Sequence, residues 1–311
     1  MIDVLIIGAG PAGLTAALYA LRYGLSVTVI EKDMYGGQIS LTSSIENYPG
    51  FKKTQGTDLA NHMYEQVLDL GCKFIFEKVI EVDLKGENKC VRTAKHEFFS
   101  KSVIIANGLK RRKLNVPGED EFSGKGVSYC ATCDGAFFKG KDAAIVGGGN
   151  VALEDAIFLS NICKKVYLIV RKNFFRAEQY IIDILNSKKN IEKLMESKII
   201  KISGNKFVNN ITVDSKGKTY DLDVNGVFIA IGYKPDNEIF YNQIDMDENG
   251  YFISDDSCKT NIPGVYVAGD CKVKELRQIV TATSDGAIAG NQAIKYVSSL
   301  SKIPQPTSMR R

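Results

Sequence analysis

Two stretches of the chain carry the same order of apolar and polar positions. Residues 3–13 read DVLIIGAGPAG, a short apolar run that breaks into glycines. The next residues, LTAALYALRYG, space their apolar positions as one face of a helix, and SVTVIEKD then alternates as a β-branched strand. Residues 142–152 read DAAIVGGGNVA, followed by the helical pattern LEDAIFLSNI and the strand pattern KVYLIVRKN. Each stretch therefore predicts strand, glycine turn, helix and second strand, in that order.

The glycines give the turns their chemistry. Gly8, Gly10 and Gly13 stand in GxGxxG spacing, with Pro11 and Ala12 between them. Gly147, Gly149 and Ala152 stand in GxGxxA spacing, with Asn150 and Val151 opening the second helix. The first glycine permits a tight turn and the second lets the backbone approach a pyrophosphate. The third small residue lets helix lie close to strand. The unpaired N–H groups of the helix start then favour the anion. Two such units predict an α/β fold with two Rossmann-like, doubly wound, FAD/NAD(P)-binding domains. A late strand pattern, NIPGVYVAGDC at 261–271, ends in Gly269–Asp270 and precedes a helix pattern over roughly 278–298 with small residues along one side. It suits a return to the first domain. The second domain is thus expected as an insertion: 1–112 with 242–311 for the first, 113–241 for the second. The entry falls near Lys113–Gly118 and the exit near Pro235–Asn242. Pro-Gly at 117–118 and Lys-Pro at 234–235 mark the crossings.

The residue that ends the second strand of such a unit meets the adenosine ribose. An acid there accepts from the ribose hydroxyls, whereas a base accommodates a 2′-phosphate. Glu31 follows VTVI in the first unit. Arg171 follows YLIV in the second, with Lys172 beside it and Arg176 one turn on. Read as one fold position, these predict FAD or NAD in the first site and NADP in the second. The alternative for Arg171 is a solvated strand end.

Composition narrows the class. The chain has 311 residues, 44% of them hydrophobic and 24% charged, which suits two ordinary globular domains. The net charge of +4 is spread out, and the basic run Lys110–Lys113 is too short to suggest nucleic acid. The N-terminal apolar run flows directly into glycines, unlike a signal peptide, and nothing approaches a membrane span. A cytoplasmic protein is expected. The 7 cysteines do not form the framework of a secreted disulfide scaffold, and Cys130 and Cys133 make the one close pair. A CxxC can hold zinc, but a structural zinc takes four ligands. The chain has only His62 and His96 and no second CxxC, so no metal is expected. The redox alternative needs two sulfurs able to close a disulfide, and an acid to neutralise a leaving thiolate. Asp134 is adjacent.

With CATCDG at 130–135, GGQ at 36–38, ENYPG at 46–50, GGGNVA at 147–152, AGD at 268–270 and RQ at 277–278, the chain resembles the low-molecular-weight bacterial thioredoxin reductases from end to end. The resemblance implies a homodimer with an FAD domain built from both ends of the chain and an inserted NADPH domain. It implies that Glu31, Gly36, Gly37, Gln38, Asn47, Asp270, Arg277, Gln278 and Ile279 surround FAD. It further implies that Cys133 takes electrons from the flavin, that Cys130 attacks thioredoxin, and that Asp134 is the acid. A rotation of the small domain would let one disulfide serve both partners, with hinges near 113–118 and 235–242. The chain departs from the family at three places. Val170-Arg171-Lys172 with Arg176 replaces HRRxxxR, which trims the contacts to a 2′-phosphate. Ala106-Asn107-Gly108 replaces ATG, and Cys271 beside Asp270 is unusual; a buried small residue is the expectation there. Three further readings compete. One is an NAD(P)H-dependent reductase of a peroxidase or glutaredoxin-like partner, although peroxidase-coupled relatives carry an extra N-terminal domain. Another is a relative of the ferredoxin–NADP reductases, which lack the CxxC. The last is a non-enzymatic flavin redox sensor.

Overall fold

The computed structural model describes residues 1–42 and 44–300. The chain forms two compact units, Met1–Lys110 with the chain from Pro235 onward, and Arg111–Lys234.

The first unit opens with β1 (Ile2–Ile7), α1 (Pro11–Arg22) and β2 (Val27–Glu31). It continues with α2 (Gly56–Leu68), β3 (Lys73–Phe76), β4 (Val79–Asp83), β5 (Lys89–Thr93) and β6 (Glu97–Ile105). Val4, Leu5 and Ile6 are fully buried, which is why the run alternates so little: both faces of β1 are covered. The sheet order is β3-β2-β1-β6-β5-β4. β1, β2 and β3 run parallel to one another, and β1 runs parallel to β6. The β4–β5 and β5–β6 pairs are antiparallel. This antiparallel half was not visible in the sequence patterns above.

β7 (Leu109–Arg111) carries the chain into the second unit. There, β8 (Val127–Ser128), α3 (Ala131–Asp134), β9 (Asp142–Val146), α4 (Asn150–Ser160), β10 (Lys165–Val170), α5 (Gln179–Ser187) and β11 (Ile191–Met195) follow. They are succeeded by β12 (Ser197–Gly204), β13 (Val208–Ser215), β14 (Lys218–Asp223) and β15 (Gly226–Ile229). A parallel sheet runs in the order β11-β10-β9-β15-β8, and β12-β13-β14 form a separate three-stranded sheet. That sheet is antiparallel throughout.

β16 (Tyr233–Pro235) carries the chain back. β17 (Val265–Val267) joins the first sheet beside β6, and α6 (Ile279–Leu300) follows. The late strand is shorter than the pattern at 261–271 suggested, because Gly264 and Gly269 bracket it at φ +78° and +83°. α6 meets α1 through small residues: a Cβ on Gly286 would strike Ala12 O, and one on Gly290 would lie 2.9 Å from Ala16 O. Residues 235–241, assigned to the insertion on sequence, belong to the first unit instead, and Arg111 and Arg112, assigned to the first domain, belong to the second. Phe240 is fully buried edge-on to Phe252, and Asn237 Nδ2 donates to Gly250 O and Cys271 O at 2.9 and 3.2 Å. Asp236 accepts from Lys32 and Lys110 at 2.9 and 2.6 Å, and those two lysines hold its carboxyl well below the usual range against the opposing effect of burial. The same contacts explain Asn107, whose Nδ2 donates to Asp236 O at 2.9 Å and Asn237 Oδ1 at 3.0 Å. A threonine has no amide with which to reach both.

Candidate active site

In the first unit the three glycines divide their work as the spacing suggests. Gly8 sits at φ +107° with Ala106 O where a Cβ would go, and a Cβ on Gly13 would strike Gly8 O. Gly10 caps α1 and faces open space, with nothing within 4 Å of its would-be Cβ. Pro11 occupies the first helical turn, where its missing N–H costs nothing. Ala9 N donates to Glu31 Oε2 at 2.8 Å and Asp33 N to Oε1 at 2.9 Å, which fixes the carboxylate at the rim of the turn. Gly36 N donates to Ala9 O at 2.8 Å, and a Cβ on Gly37 would come within 3.4 Å of Gly10 Cα. Gln38 Nε2 donates to Leu109 O at 3.4 Å, and Asn47 Nδ2 to Gln278 Oε1 at 3.0 Å. Asp270 ends the returning segment, and its Oδ1 is buried with no hydrogen-bond partner among the described residues. Burial raises its pKa, with Lys274 and Arg277 opposing. Arg277 donates from Nε to Asp270 O at 3.3 Å and stacks over Tyr251 with 4.3 Å to the ring centroid. Ile279 begins α6. An open place over Gly10, an oriented carboxylate and an orphaned buried acceptor are the features a dinucleotide's backbone and hydroxyls require, so these residues fit FAD.

The second unit holds a cleft of about 1040 Å³, lined by Gly147, Gly149, Asn150 and Val151 and by Arg171, Lys172 and Arg176. A Cβ on Gly147 would strike Ala230 O, whereas one on Gly149 would find only Arg176 O at 3.7 Å. Asn150 Oδ1 accepts from Glu178 N at 2.9 Å, and Val151 is exposed on the first turn of α4. Among the described residues no carboxylate pairs with Arg171, Lys172 or Arg176. Lys172 Nζ lies 4.9 Å over the Phe174 ring. Three cations that line one cleft without a carboxylate partner are a set that could hold a phosphate.

The register corrects one reading. Glu31 and Arg171 do not occupy one fold position. Ile7 pairs with Ile30 and Val146 with Ile169, and Gly8 N and Gly147 N donate to Ile30 O and Ile169 O. Glu31 therefore corresponds to Val170, which is buried and would meet a Cβ on Gly148 at 2.9 Å. Arg171 is one residue further. The position equivalent to Glu31 in the second unit thus carries a packed valine in place of a carboxylate, with Arg171 and Lys172 following it.

Cys130 and Cys133 are joined in a disulfide at the start of α3, with Cα atoms 5.3 Å apart. Cys130 caps the helix: its Sγ accepts from Cys133 N at 3.2 Å and its O from Asp134 N at 3.2 Å. Ser128 Oγ donates to Asp134 Oδ2 at 2.6 Å and accepts from Cys130 N at 3.1 Å, which ties the acid to the sulfur-bearing turn. Ser128 was missed on sequence, and its place two residues before the first cysteine was the available signal. The other five cysteines are buried thiols. Burial pushes Cys72 and Cys271 up to about 12 and Cys163 and Cys258 up to about 11, and raises Cys90 as well. Thiolate is the reactive form, so burial and the raised pKa both disfavour reaction at these five. Cys271 is a packed small residue, as expected, with Sγ 3.3 Å from Ala268 O.

The pyridine nucleotide-disulphide oxidoreductase family matches residues 2–286. The chain belongs to that family. It is 41% identical over 304 residues to thioredoxin reductase of Peptoclostridium acidaminophilum, covering 95% of this chain and 96% of that one. It is also 41% identical to thioredoxin reductase of Bacillus subtilis, over 96% of this chain and 95% of that one. The solved structure of Lactococcus lactis thioredoxin reductase superposes with a TM-score of 0.86 at 37% identity, covering 96% of this chain and all of that one. Family membership agrees with two dinucleotide folds and a cysteine pair in one chain. Among the described residues no helix is long and apolar enough to cross a membrane.

Proposed function

We propose that the chain is a thioredoxin-disulfide reductase that draws electrons from NADPH and delivers them through FAD and the Cys130–Cys133 disulfide to oxidised thioredoxin. The observation that carries the reading is the disulfide itself. It closes between the only two cysteines not sealed as buried thiols, in a chain with two dinucleotide fingerprints.

In this reading Gly10, Glu31, Gly37, Gln38, Asn47 and Asp270 hold FAD. Gly149, Asn150, Arg171, Lys172 and Arg176 hold NADPH. The chemistry these cofactors supply when bound is a hydride and a two-electron relay. Opening the Cys130–Cys133 bond consumes two electrons and two protons and leaves two thiols. Cys130, deprotonated, then attacks one sulfur of the thioredoxin disulfide, forming a mixed disulfide and expelling a thioredoxin thiolate. Asp134, held by Ser128, is the group that delivers a proton to a leaving thiolate. Cys133 attacks Cys130 Sγ, re-forms the internal disulfide and releases the second thioredoxin thiol. The sum is NADPH, a proton and oxidised thioredoxin giving NADP⁺ and the dithiol. The absence of a carboxylate at the Val170 position supports NADPH over NADH. We also take the protein to be a cytoplasmic homodimer, on its resemblance to the family.

The test is steady-state reduction of thioredoxin with NADPH and NADH in parallel, on protein whose flavin has been released and identified. Catalytic turnover with released FAD is expected. Release of FMN would refute the FAD assignment of the first unit, and a disulfide that reduces only stoichiometrically would refute the enzyme in favour of a sensor. Reduction of a glutaredoxin-like protein but not of thioredoxin would move the partner.

A further inference from the structure

The turn that presents Asp270 is gripped by a buried ion-pair network. Gly269 N donates to Asp285 Oδ2 at 3.0 Å, and Lys274 Nζ donates to the same oxygen at 2.7 Å. Lys272 Nζ lies 3.9 Å from Asp285 Oδ1. The side chains of Lys272, Lys274 and Asp285 keep only 9, 12 and 14% of their exposure. Lys272 Nζ also approaches Cys258 Sγ at 3.6 Å, and Lys274 Nζ reaches Thr281 O at 3.3 Å. Burying three charges is costly, and such a network gives fixed geometry more readily than surplus stability.

Its position says what is being fixed. Gly269 is in the left-handed region at φ +83°, and a Cβ there would come within 2.9 Å of the Ala12 Cβ in the first fingerprint. Ala12 blocks the turn on one side, and Asp285 holds its N–H on the other. The next residue of α6, Gly286, is packed against Ala12 O, so fingerprint, turn and helix meet at one point. The residue after Gly269 is Asp270, whose Oδ1 is buried and unpaired among the described residues. An acceptor left open in a buried place is useful only if its direction is held until a donor arrives.

We propose that Asp285, clamped by Lys274, is a positioning residue for FAD, fixing the Gly269–Asp270 turn so that the Asp270 carboxyl meets a hydroxyl of the bound cofactor. This rests on the FAD reading above. Asp285 acts through the backbone of Gly269, whose N–H its carboxylate holds. Lys274 and Lys272 set the direction of its carboxylate.

The experiment titrates apoprotein with FAD, following flavin fluorescence well below each variant's melting temperature. NADPH affinity is measured on the same preparations as a control from the other unit. Asp285→Ala should weaken FAD about thirtyfold, the order expected for losing a hydrogen bond to a charged group. Asp285→Asn keeps an acceptor for Gly269 N–H but leaves both lysines unopposed, and should weaken FAD about tenfold. Lys274→Met should weaken it about fivefold, and Lys274→Arg should restore binding to within about twofold of wild type. NADPH affinity should not move. If Asp285→Ala does not fold, the Lys274→Met and Lys274→Arg pair carries the test. Wild-type affinity for FAD in Asp285→Ala or in Lys274→Met overturns the inference, and so does a parallel fall in NADPH affinity. A wild-type protein that binds no FAD overturns the functional reading itself, and this inference with it.

Discussion

In the first unit, Ala9 N–H holds a carboxylate, Glu31, at the end of the second strand. In the second unit, the residue at the same register is Val170, packed against Gly148, and the nearby side chains are cations. The glycine turns of the two units are otherwise alike. Each has one glycine jammed against the backbone just past a neighbouring strand and one with room for a Cβ, open at Gly10 and in ordinary contact with Arg176 O at Gly149. The comparison separates two features. The glycines shape the turn in both units, and the strand-end residue with its neighbours sets the charge beside it, acidic in the first unit and basic in the second. The helices differ too. Ala16 on α1 lies under α6, whereas the residue at the corresponding place on α4 is Asp155, pushed up to about 6 by burial and by Glu154.

The largest expected effect comes from the feature only one unit has. Cys133→Ser should lower thioredoxin turnover on the order of a thousandfold or more, as loss of a covalent participant does. Flavin content and the affinity for NADPH should stay unchanged, and retained turnover in the steady-state assay would break the proposed route. Next, Glu31→Val copies the second unit into the first. It should raise the FAD dissociation constant by about one to two factors of ten, the worth of charge-assisted hydrogen bonds. Calorimetric titration of NADPH on the same variant should show no change. The converse swap concerns donor choice. Arg171→Glu should cut the kcat/KM preference for NADPH about tenfold by opposing the 2′-phosphate. Val170→Glu combined with Arg171→Ser should reverse it, because the acid then stands where Glu31 stands. An Arg171→Glu enzyme that keeps its full preference would show residue 171 to be only a solvated strand end.

The smallest effect is on stability. The carboxyl of Asp155 titrates near 6 in the fold, against 3.8 ordinarily, so the folded state keeps its proton to higher pH. Its contribution is therefore lost as pH rises through that window. Asp155→Asn should stabilise the protein by about 2 kcal/mol at pH 7 and hardly at all at pH 4. Chemical denaturation at the two pH values measures this. An equal gain at both would mean that ionisation is not the cause.

Both fingerprints were legible because each is local: strand, turn and helix follow one another within thirty or so residues. The CxxC was legible because its spacing alone brings two sulfurs into bonding reach. Features set by distant pairings were not. The antiparallel β4–β5–β6 half and the β12–β14 sheet rest on cross-strand contacts that no single run displays. The offset between Glu31 and Arg171 was hidden because counting from the apolar run ignores register, and the two runs differ by one residue. Residues 235–241 were misassigned because their partners, Gly250 and Cys271, lie beyond the crossing. Asp285 looks like an ordinary helix acid until Gly269 and Lys274 are seen beside it.

Five sealed thiols have a pharmacological side. An arsenical or another soft electrophile meets a protein with no accessible nucleophilic sulfur while the Cys130–Cys133 bond is closed. The same reagent meets two neighbouring thiols once the bond is opened. Sensitivity to such agents should therefore follow the supply of reducing equivalents rather than the abundance of the protein. A cell poor in reducing power would be shielded by the oxidised state, and a well-fed one would be the vulnerable target.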